Sequence, residues 1–283
     1  MAQNTSPVFL VTGSSSGLGR EIVIAALASG FRVIATARKV DTLTGLEEKG
    51  AKVLPLDVTS TPEALKEFAA KATSIYGQID YLVNNAGFAQ GGAIEEHSPK
   101  EITDQFNTNF FGLVNTTNAF LPHFRTRKAG TLVNISSVAS LGGQPGAGVY
   151  AASKAAVDAV SDTWAQELAE YGIRSISVQP GTFRTEALKP VNARFAANVI
   201  EGNYALAHGV VDFLSKHVAG NEPGDPAKGA QNIIALVTKA GQLPLRFVVG
   251  DDGHPKLEKF YKERSAELEA TRELGTGTNF VAA

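Results

Sequence analysis

Six short strand-like runs, rich in apolar residues and separated by helix-length stretches, constrain the fold of this chain more than any other feature. They are Val8-Phe9-Leu10-Val11, residues 31–37, 53–56 and 81–83, Thr131-Leu132-Val133-Asn134-Ile135, and residues 173–178. Short apolar runs suit strands covered on both faces. The intervening stretches predict helices over residues 21–28, closed by Gly30, and over 62–76, capped by Ser60 or Thr61. Two more are predicted over about 99–125, broken near Gly112, and from Tyr150 to about Tyr171, ended by Gly172. Strands that alternate with helices pair in parallel through right-handed crossovers. The expected fold is therefore an α/β doubly wound parallel sheet, Rossmann-like. Without repeat, low-complexity tract or linker, residues 1–283 are expected to form a single domain.

Composition narrows the class of function. Lys+Arg 26 against Asp+Glu 28 leaves a formal net charge of −2, so no cationic excess points to nucleic acid or an anionic membrane. The lack of cysteine excludes disulfides, thiolate nucleophiles and cysteine metal sites. The five histidines are dispersed, so no metal set is expected, and His97 and His123 read as helix-cap or surface residues. The stretch up to Pro7 has neither the basic nor the apolar region of a signal peptide, and no apolar run reaches the length of a membrane span. The triplets at Asn4, Asn115 and Asn134 then read as coincidence rather than glycosylation sites, and the expected location is cytoplasmic.

Three features carry chemistry. Tyr150 and Lys154 are four residues apart and share one helix face. An ammonium beside the phenol is expected to lower its pKa, making a general acid/base for near-neutral pH. Gly13-Ser14-Ser15-Ser16-Gly17-Leu18-Gly19 lies between the first strand and the first helix, where glycines and helix amides suit a phosphate. The same letters spell Gly13-x-Ser15-x-Gly17, a nucleophile-elbow pattern, but only one strand precedes Ser15 and no acid–histidine pair stands out. Residues 31–40 hold no acid, and Arg38-Lys39 closes the second strand. Arg38 can hold the extra phosphate of NADP(H), while Asp41 keeps NAD(H) open.

Thr12-Gly13-x3-Gly17-x-Gly19, Asn84-Asn85-Ala86-Gly87, and Ser137 ahead of Tyr150-x3-Lys154 together resemble the short-chain dehydrogenase/reductase family. Asp57-Val58 after the third strand and Pro180-Gly181-Thr182-Phe183-Arg184-Thr185 after the sixth are similar to its compact single-domain branch. The resemblance runs from about residue 8 to 185, then less specifically through a seventh strand near Arg246-Phe247-Val248-Val249. It implies that Tyr150 is the acid/base and that Lys154 lowers its pKa and binds the nicotinamide ribose. Ser137 would hydrogen-bond the substrate oxygen, with Ser136 as the alternative. Asn109 would hold a water beneath Lys154, with Asn107 fitting less well. Asp57 would accept from the adenine amino group beside the Val58 amide, Asn84 and Gly87 would pass under the adenosine ribose, and Thr185 would reach the carboxamide or pyrophosphate. The implied cofactor set is completed by Gly13, Ser14, Ser16, Gly17, Leu18, Gly19, Ala86, Pro180, Gly181 and Phe183. Relatives that use NADP often carry a basic residue where this chain has Ser16, so the preference rests on Arg38, with Ser14 or Lys39 as helpers.

Residues 186–223 correspond to the family's variable substrate lid. Tyr204, Val211 and Leu214 share one side of an amphipathic helix there, with Phe195, Val199 and Ile200 upstream, and Phe88, Gln144 and Phe183 are further pocket-wall candidates. A charged helix over about 255–272 begins a carboxyl-terminal extension that could cover a subunit contact or pack onto the lid. The expected function is NADP(H)-dependent interconversion of a carbonyl and an alcohol by a homo-oligomer, dimer or tetramer, on a small-molecule substrate, with a bulky and apolar one among those open. A non-catalytic NADP(H)-binding sensor is the second reading and a serine hydrolase the third.

Overall fold

The apolar runs become strands because each is buried from both sides. In the computed structural model, which describes residues 5–186 and 194–280, β1 (Val8–Val11) has no exposed residue. It leads through the glycine loop into α1 (Gly17–Ala28), β2 (Arg32–Ala37), the short α2 (Thr44–Glu47), β3 (Lys52–Pro55) and α3 (Pro62–Tyr76). β4 (Tyr81–Asn84), the two-residue β5 (Gln90–Gly91), α4 (Pro99–Phe106), α5 (Gly112–Arg127) and β6 (Gly130–Ile135) follow. Next come α6 (Gly148–Glu167), β7 (Ile173–Pro180), β8 (Arg194–Phe195), α7 (Ala205–Phe213), α8 (Pro226–Val237), β9 (Arg246–Val249), α9 (Gly253–Ala270) and α10 (Arg272–Gly275). The main sheet has the order β3-β2-β1-β4-β6-β7-β9 with every pair parallel, the expected doubly wound architecture. The order reverses between β1 and β4, so a crevice opens beyond their carboxyl ends. The small β5–β8 ribbon joins the segment after β4 to the expected lid.

Two apolar layers cover the sheet. α1 and α8 pack together over one face, around Phe9, Ile22, Val33, Ile176 and Ile233. α3, α5 and α6 cover the other, around Leu10, Leu82, Phe120, Phe124 and Trp164. Phe9, Phe120 and Phe124 have no exposed surface, and full burial of such a side chain contributes about 1.5–3 kcal/mol.

The boundaries depart from expectation at informative places. α1 begins at Gly17, four residues early, because the helix takes up the last two glycines of the loop. Gly30, at φ +81°, follows its end, and Thr61 caps α3 by accepting from the Ala64 amide at 3.3 Å. The break near Gly112 is a π turn over Asn107–Phe111, not a stop. A Cβ at Gly112 would stand 2.8 Å from Val58 Cγ2, so glycine lets the helix lie against the loop that follows β3. α8 was not anticipated, although Asp225 accepting from the Ala227 and Lys228 amides ahead of Pro226 is a plain start signal. Asn4, residues 187–193 and the last three residues lie outside those described.

One buried polar cluster stitches the sheet to α5 and α6. Asn84 Nδ2 donates to Thr117 Oγ1 and Asn134 Oδ1, both at 2.9 Å, and Asn134 Nδ2 donates to Ser161 Oγ at 3.0 Å and Ser175 Oγ at 3.3 Å. Asn134 has no exposed surface, which rules it out as a glycan site in the folded protein. Asn134→Ala leaves several buried partners unsatisfied and is expected to lower unfolding free energy by about 2 kcal/mol or more. Denaturant titration checks this, and an unchanged midpoint contradicts it.

Candidate active site

The glycine loop is built by β1 ending where backbone groups need new partners. Thr12 Oγ1 accepts from the Asn85 and Ala86 amides at 2.9 and 3.0 Å, while Asn85 Nδ2 donates to the Thr12 and Gly13 carbonyls at 2.9 and 3.0 Å. The loop after β1 is thus fastened to the loop after β4. Gly13 (φ +66°) and Gly17 (φ +57°) adopt backbone that favours glycine. A Cβ on Gly13 would come 2.8 Å from Ala86 Cα, and one on Gly19 would come 2.2 Å from Asn85 Nδ2. Ser16 occupies the N-cap of α1 without a side-chain cap bond, and the first turn carries no acid. Those free helix amides and close-set glycines fit the pyrophosphate of a dinucleotide. Thr185 lies over the loop, 3.3 Å from where a Gly17 Cβ would be.

The remaining loop residues divide. Ser14 is buried, and its hydroxyl donates to the Val11 carbonyl at 2.9 Å, so it serves the strand end instead of reaching a ligand. Leu18 packs on the core. Ser15 is exposed and makes no hydrogen bond to a histidine among the described residues, so the nucleophile-elbow arrangement is not assembled. Arg38 and Lys39 are exposed at the end of β2, where Arg38 has no ion pair among the described residues. Asp57 spends Oδ1 on the Thr59 amide and hydroxyl, and Val58 is buried. The Asn84 side chain belongs to the buried cluster described above, so only its backbone faces the crevice. Phe183 likewise turns inward: its ring lies where a Gly229 Cβ would be 2.6 Å from Cε1. Pro180 and Gly181 end β7, with the Gly181 amide donating to the Val249 carbonyl at 2.8 Å.

Ser137, Tyr150, Lys154 and Asn109 converge beside Gly87. Lys154 is buried, and its Nζ donates to the Ile135 carbonyl at 2.7 Å while standing 5.9 Å from the centre of the Tyr150 ring. A Cβ on Gly87 would stand 3.0 Å from Asn109 Oδ1 and 3.6 Å from Lys154 Nζ, so glycine admits both. Asn109 comes from the π turn. It accepts from the Phe88 amide at 3.0 Å and donates to the Phe88 carbonyl at 2.9 Å and Ser153 Oγ at 3.1 Å. Ser136 donates to the Lys154 carbonyl, which leaves Ser137 as the serine that meets Tyr150.

The electrostatics reverse one expectation. Burial pushes the Tyr150 phenol above its ordinary value, and hydrogen bonding with Ser137 opposes this. The Lys154 ammonium is directed at the Ile135 carbonyl, and burial lowers its own pKa to about 8 against the pull of Asp158. The helical spacing sets which face the pair shares, but it does not set their depth.

The described part of the expected lid, residues 194–223, lies beside this corner, with Ala207 and Val211 against Gly146. α7 follows Tyr204, its N-cap residue in left-handed backbone (φ 51°), and the Tyr204 hydroxyl bonds to Glu95. Val211 packs against Gly91 and Gly146, while Leu206, Val210, Phe213 and Leu214 join Gln144 around an apolar cavity of about 390 Å³. Phe195 and Val199 are exposed. The Arg194 guanidinium lies 3.9 Å above the Phe88 ring. A larger crevice of about 660 Å³, lined by Leu27, Arg32 and Tyr76, opens at the amino ends of the strands, away from these groups. His97 caps the 3-10 turn Ile94–Glu96, as expected, and its Nδ1 meets the Ala93 carbonyl, whereas His123 is half-buried and its Nε2 accepts from the Ile79 amide. Among the described residues no group of three acids or histidines is placed to hold a metal.

The family profile described as short chain dehydrogenase matches residues 7–195. The protein "Oxidoreductase BOA17" of Botryotinia fuckeliana is 35% identical over 271 residues, covering 94% of this chain and 97% of that one. A short-chain dehydrogenase from Streptomyces avermitilis superposes with a TM-score of 0.88 at 38% identity, covering 98% of this chain and 99% of its own. An actinorhodin polyketide ketoreductase solved with NADPH superposes at 0.71 with 30% identity, over 88% of this chain and 97% of that one.

Because a methyl group at position 19 collides with Asn85 and the Gly13 carbonyl, Gly19→Ala must displace the phosphate cradle. The variant is expected to bind a reduced nicotinamide dinucleotide about tenfold or more weakly, near 1.4 kcal/mol. Fluorescence titration reads this, and unchanged affinity contradicts the assignment of the loop.

Proposed function

This chain belongs to the short-chain dehydrogenase family, and on that premise we propose that it is an NADP(H)-dependent oxidoreductase interconverting a ketone or aldehyde with its alcohol. The observation that carries the reading is the convergence of Asn109, Ser137, Tyr150 and Lys154 beside a glycine-lined helix N-terminus. The bound cofactor supplies or takes the hydride. This chain handles the proton and the geometry.

Tyr150 gives its proton to the carbonyl oxygen in reduction and takes one from the alcohol in reverse. Burial raises its pKa, so the phenol is protonated at neutral pH, the form that reduction uses. The Ser137 hydroxyl donates to the same oxygen as negative charge develops there. Lys154, charged below about pH 8, favours the phenolate as it forms and offers Nζ to the nicotinamide ribose. The side-chain amide of Asn109 is held by Phe88 and Ser153, which fixes Asn109 near Lys154, where it would hold the water of a proton relay. Reduction is the expected direction if NADPH is the cofactor.

Arg38, exposed and free of ion pairs among the described residues, supports NADP(H), since a guanidinium matches a phosphate in a bidentate way. NAD(H) would instead engage Asp41. Thr185 over the loop supports its contact with the cofactor. The apolar cavity beside Gln144 supports a sizeable apolar carbonyl substrate under a lid that includes α7. Phe111, half-exposed beside the Asn109 turn, supports a homo-oligomer, and the cysteine-free composition supports the cytoplasm.

Initial rates with NADPH and NADH against a panel of apolar ketones test the proposal. Tyr150→Phe is expected to lower turnover about a hundredfold to ten-thousandfold, and persistent activity contradicts the acid/base role. Arg38→Ala is expected to remove about tenfold of the preference for NADPH; a preference that survives contradicts the cofactor assignment. Loss of the Lys154 proton makes reduction fall as pH rises through about 8, and a rate flat through that range contradicts its charged role.

A further inference from the structure

The chemistry above leaves one buried carboxylate unused. Asp158 is 2% exposed and lies one turn beyond Lys154 on the same face of α6. Its Oδ1 accepts from Ser177 Oγ at 2.5 Å, and its Oδ2 accepts from Ser140 Oγ at 2.5 Å and Gln179 Nε2 at 2.8 Å. Arg246 Nη1 on β9 is 3.8 Å from Oδ2. Three hydrogen-bond donors and a guanidinium are what a buried charge requires.

Ser140 sits in the 3-10 turn Val138–Leu141, which starts directly after Ser137. Its Oγ is also 2.7 Å from the Ser137 carbonyl, and Gln179 Nε2 reaches Ser140 Oγ at 3.1 Å. One carboxylate therefore joins the helix of Tyr150 and Lys154, the turn of Ser137, and strands β7 and β9. We propose that Asp158 is a positioning residue: it clamps the Ser137 turn to α6 and supplies the buried counter-charge of the Lys154 ammonium.

The charge inventory agrees. Among the described residues, the titratable neighbours of Lys154 on α6 are Tyr150 and Asp158, while β6 offers the Ile135 carbonyl and the π turn offers Asn109. Around Asp158, β9 contributes Arg246, which also pairs with Asp162 at 2.7 Å and lies near Tyr261 of α9. The Asp158 charge opposes the fall that burial imposes on Lys154. The inference rests on Lys154 serving the active site as proposed.

Competitive acetylation across pH, read on the Lys154 peptide by mass spectrometry in cofactor-free protein, measures the lysine midpoint without turnover. The wild-type midpoint is expected near 8. Asp158→Asn is expected to lower it by about half a unit or more, with the alkaline limb of carbonyl reduction moving the same way. Arg246→Gln is expected to raise it, because the carboxylate loses its opposing cation. Ser140→Ala keeps the charge, so its midpoint should hold while kcat falls and cofactor affinity does not. An equal midpoint in wild type and Asp158→Asn overturns the proposal. Should that variant fail to fold, an unmoved or lowered midpoint in Arg246→Gln overturns it. Absence of turnover on any carbonyl defeats the proposed function instead, and the labelling shift still decides the role of Asp158.

Discussion

The active corner depends on the parallel register of β4, β6 and β7. Asn84, Asn134 and Ser177 form one rank across the sheet, and Ile135 pairs with Val178 in the next. The loops leaving these strands therefore open on the same edge of the sheet, each strand running a little farther than the one before: Asn85 to Phe88, Ser136 to Leu141, and Gly181 to Thr185. Lys154 ties α6 to that edge through the Ile135 carbonyl. A one-residue slip of β6 would exchange its buried faces and carry Ser137 away from Tyr150, so register and chemistry are one constraint. The Asn84–Asn134 bond, together with the serines behind it, makes such a slip costly in unsatisfied polar groups.

Burial then sets the proton chemistry. The same low-polarity surroundings that raise the Tyr150 pKa lower that of Lys154, moving the two groups apart and favouring the neutral form of each. A phenol that keeps its proton at neutral pH is an acid in waiting, and a lysine that titrates near 8 responds to whatever charge lies close to it. Asp158 lies close, held by Ser140, Ser177 and Gln179. The polar cluster behind α6 is thus continuous with the site in front of it.

Much of this was legible in the sequence because it is local. Apolar runs mark buried strands, and Tyr150-x3-Lys154 marks a helix face. Thr12-Gly13 and Asn84-Asn85-Ala86-Gly87 mark strand ends that need backbone partners. What escaped is set by depth and by tertiary partners. No spacing rule says that Lys154 Nζ faces a carbonyl or that Ser14 faces Val11. Nor does spacing predict that Phe183 packs on Gly229. The periodicity that grouped Tyr204 with Val211 and Leu214 assumes a helix already running at Tyr204, where the chain is still in left-handed backbone. Leu214 reaches the apolar cavity, whereas Val211 turns to Gly91 and Gly146. The helix after Asp225-Pro226 was legible in principle, since its cap and first-turn proline are both local.

Hydride transfer from a nicotinamide to a carbonyl carbon is the central claim, and isotope transfer tests it most directly. Reduction of an apolar ketone with NADPH deuterated at the transferring C4 position, followed by mass spectrometry of the alcohol, reads the event itself. The account predicts one deuterium on the carbinol carbon of each product molecule. Consumption of the cofactor with an alcohol that carries no deuterium there, or with no alcohol at all, would contradict it.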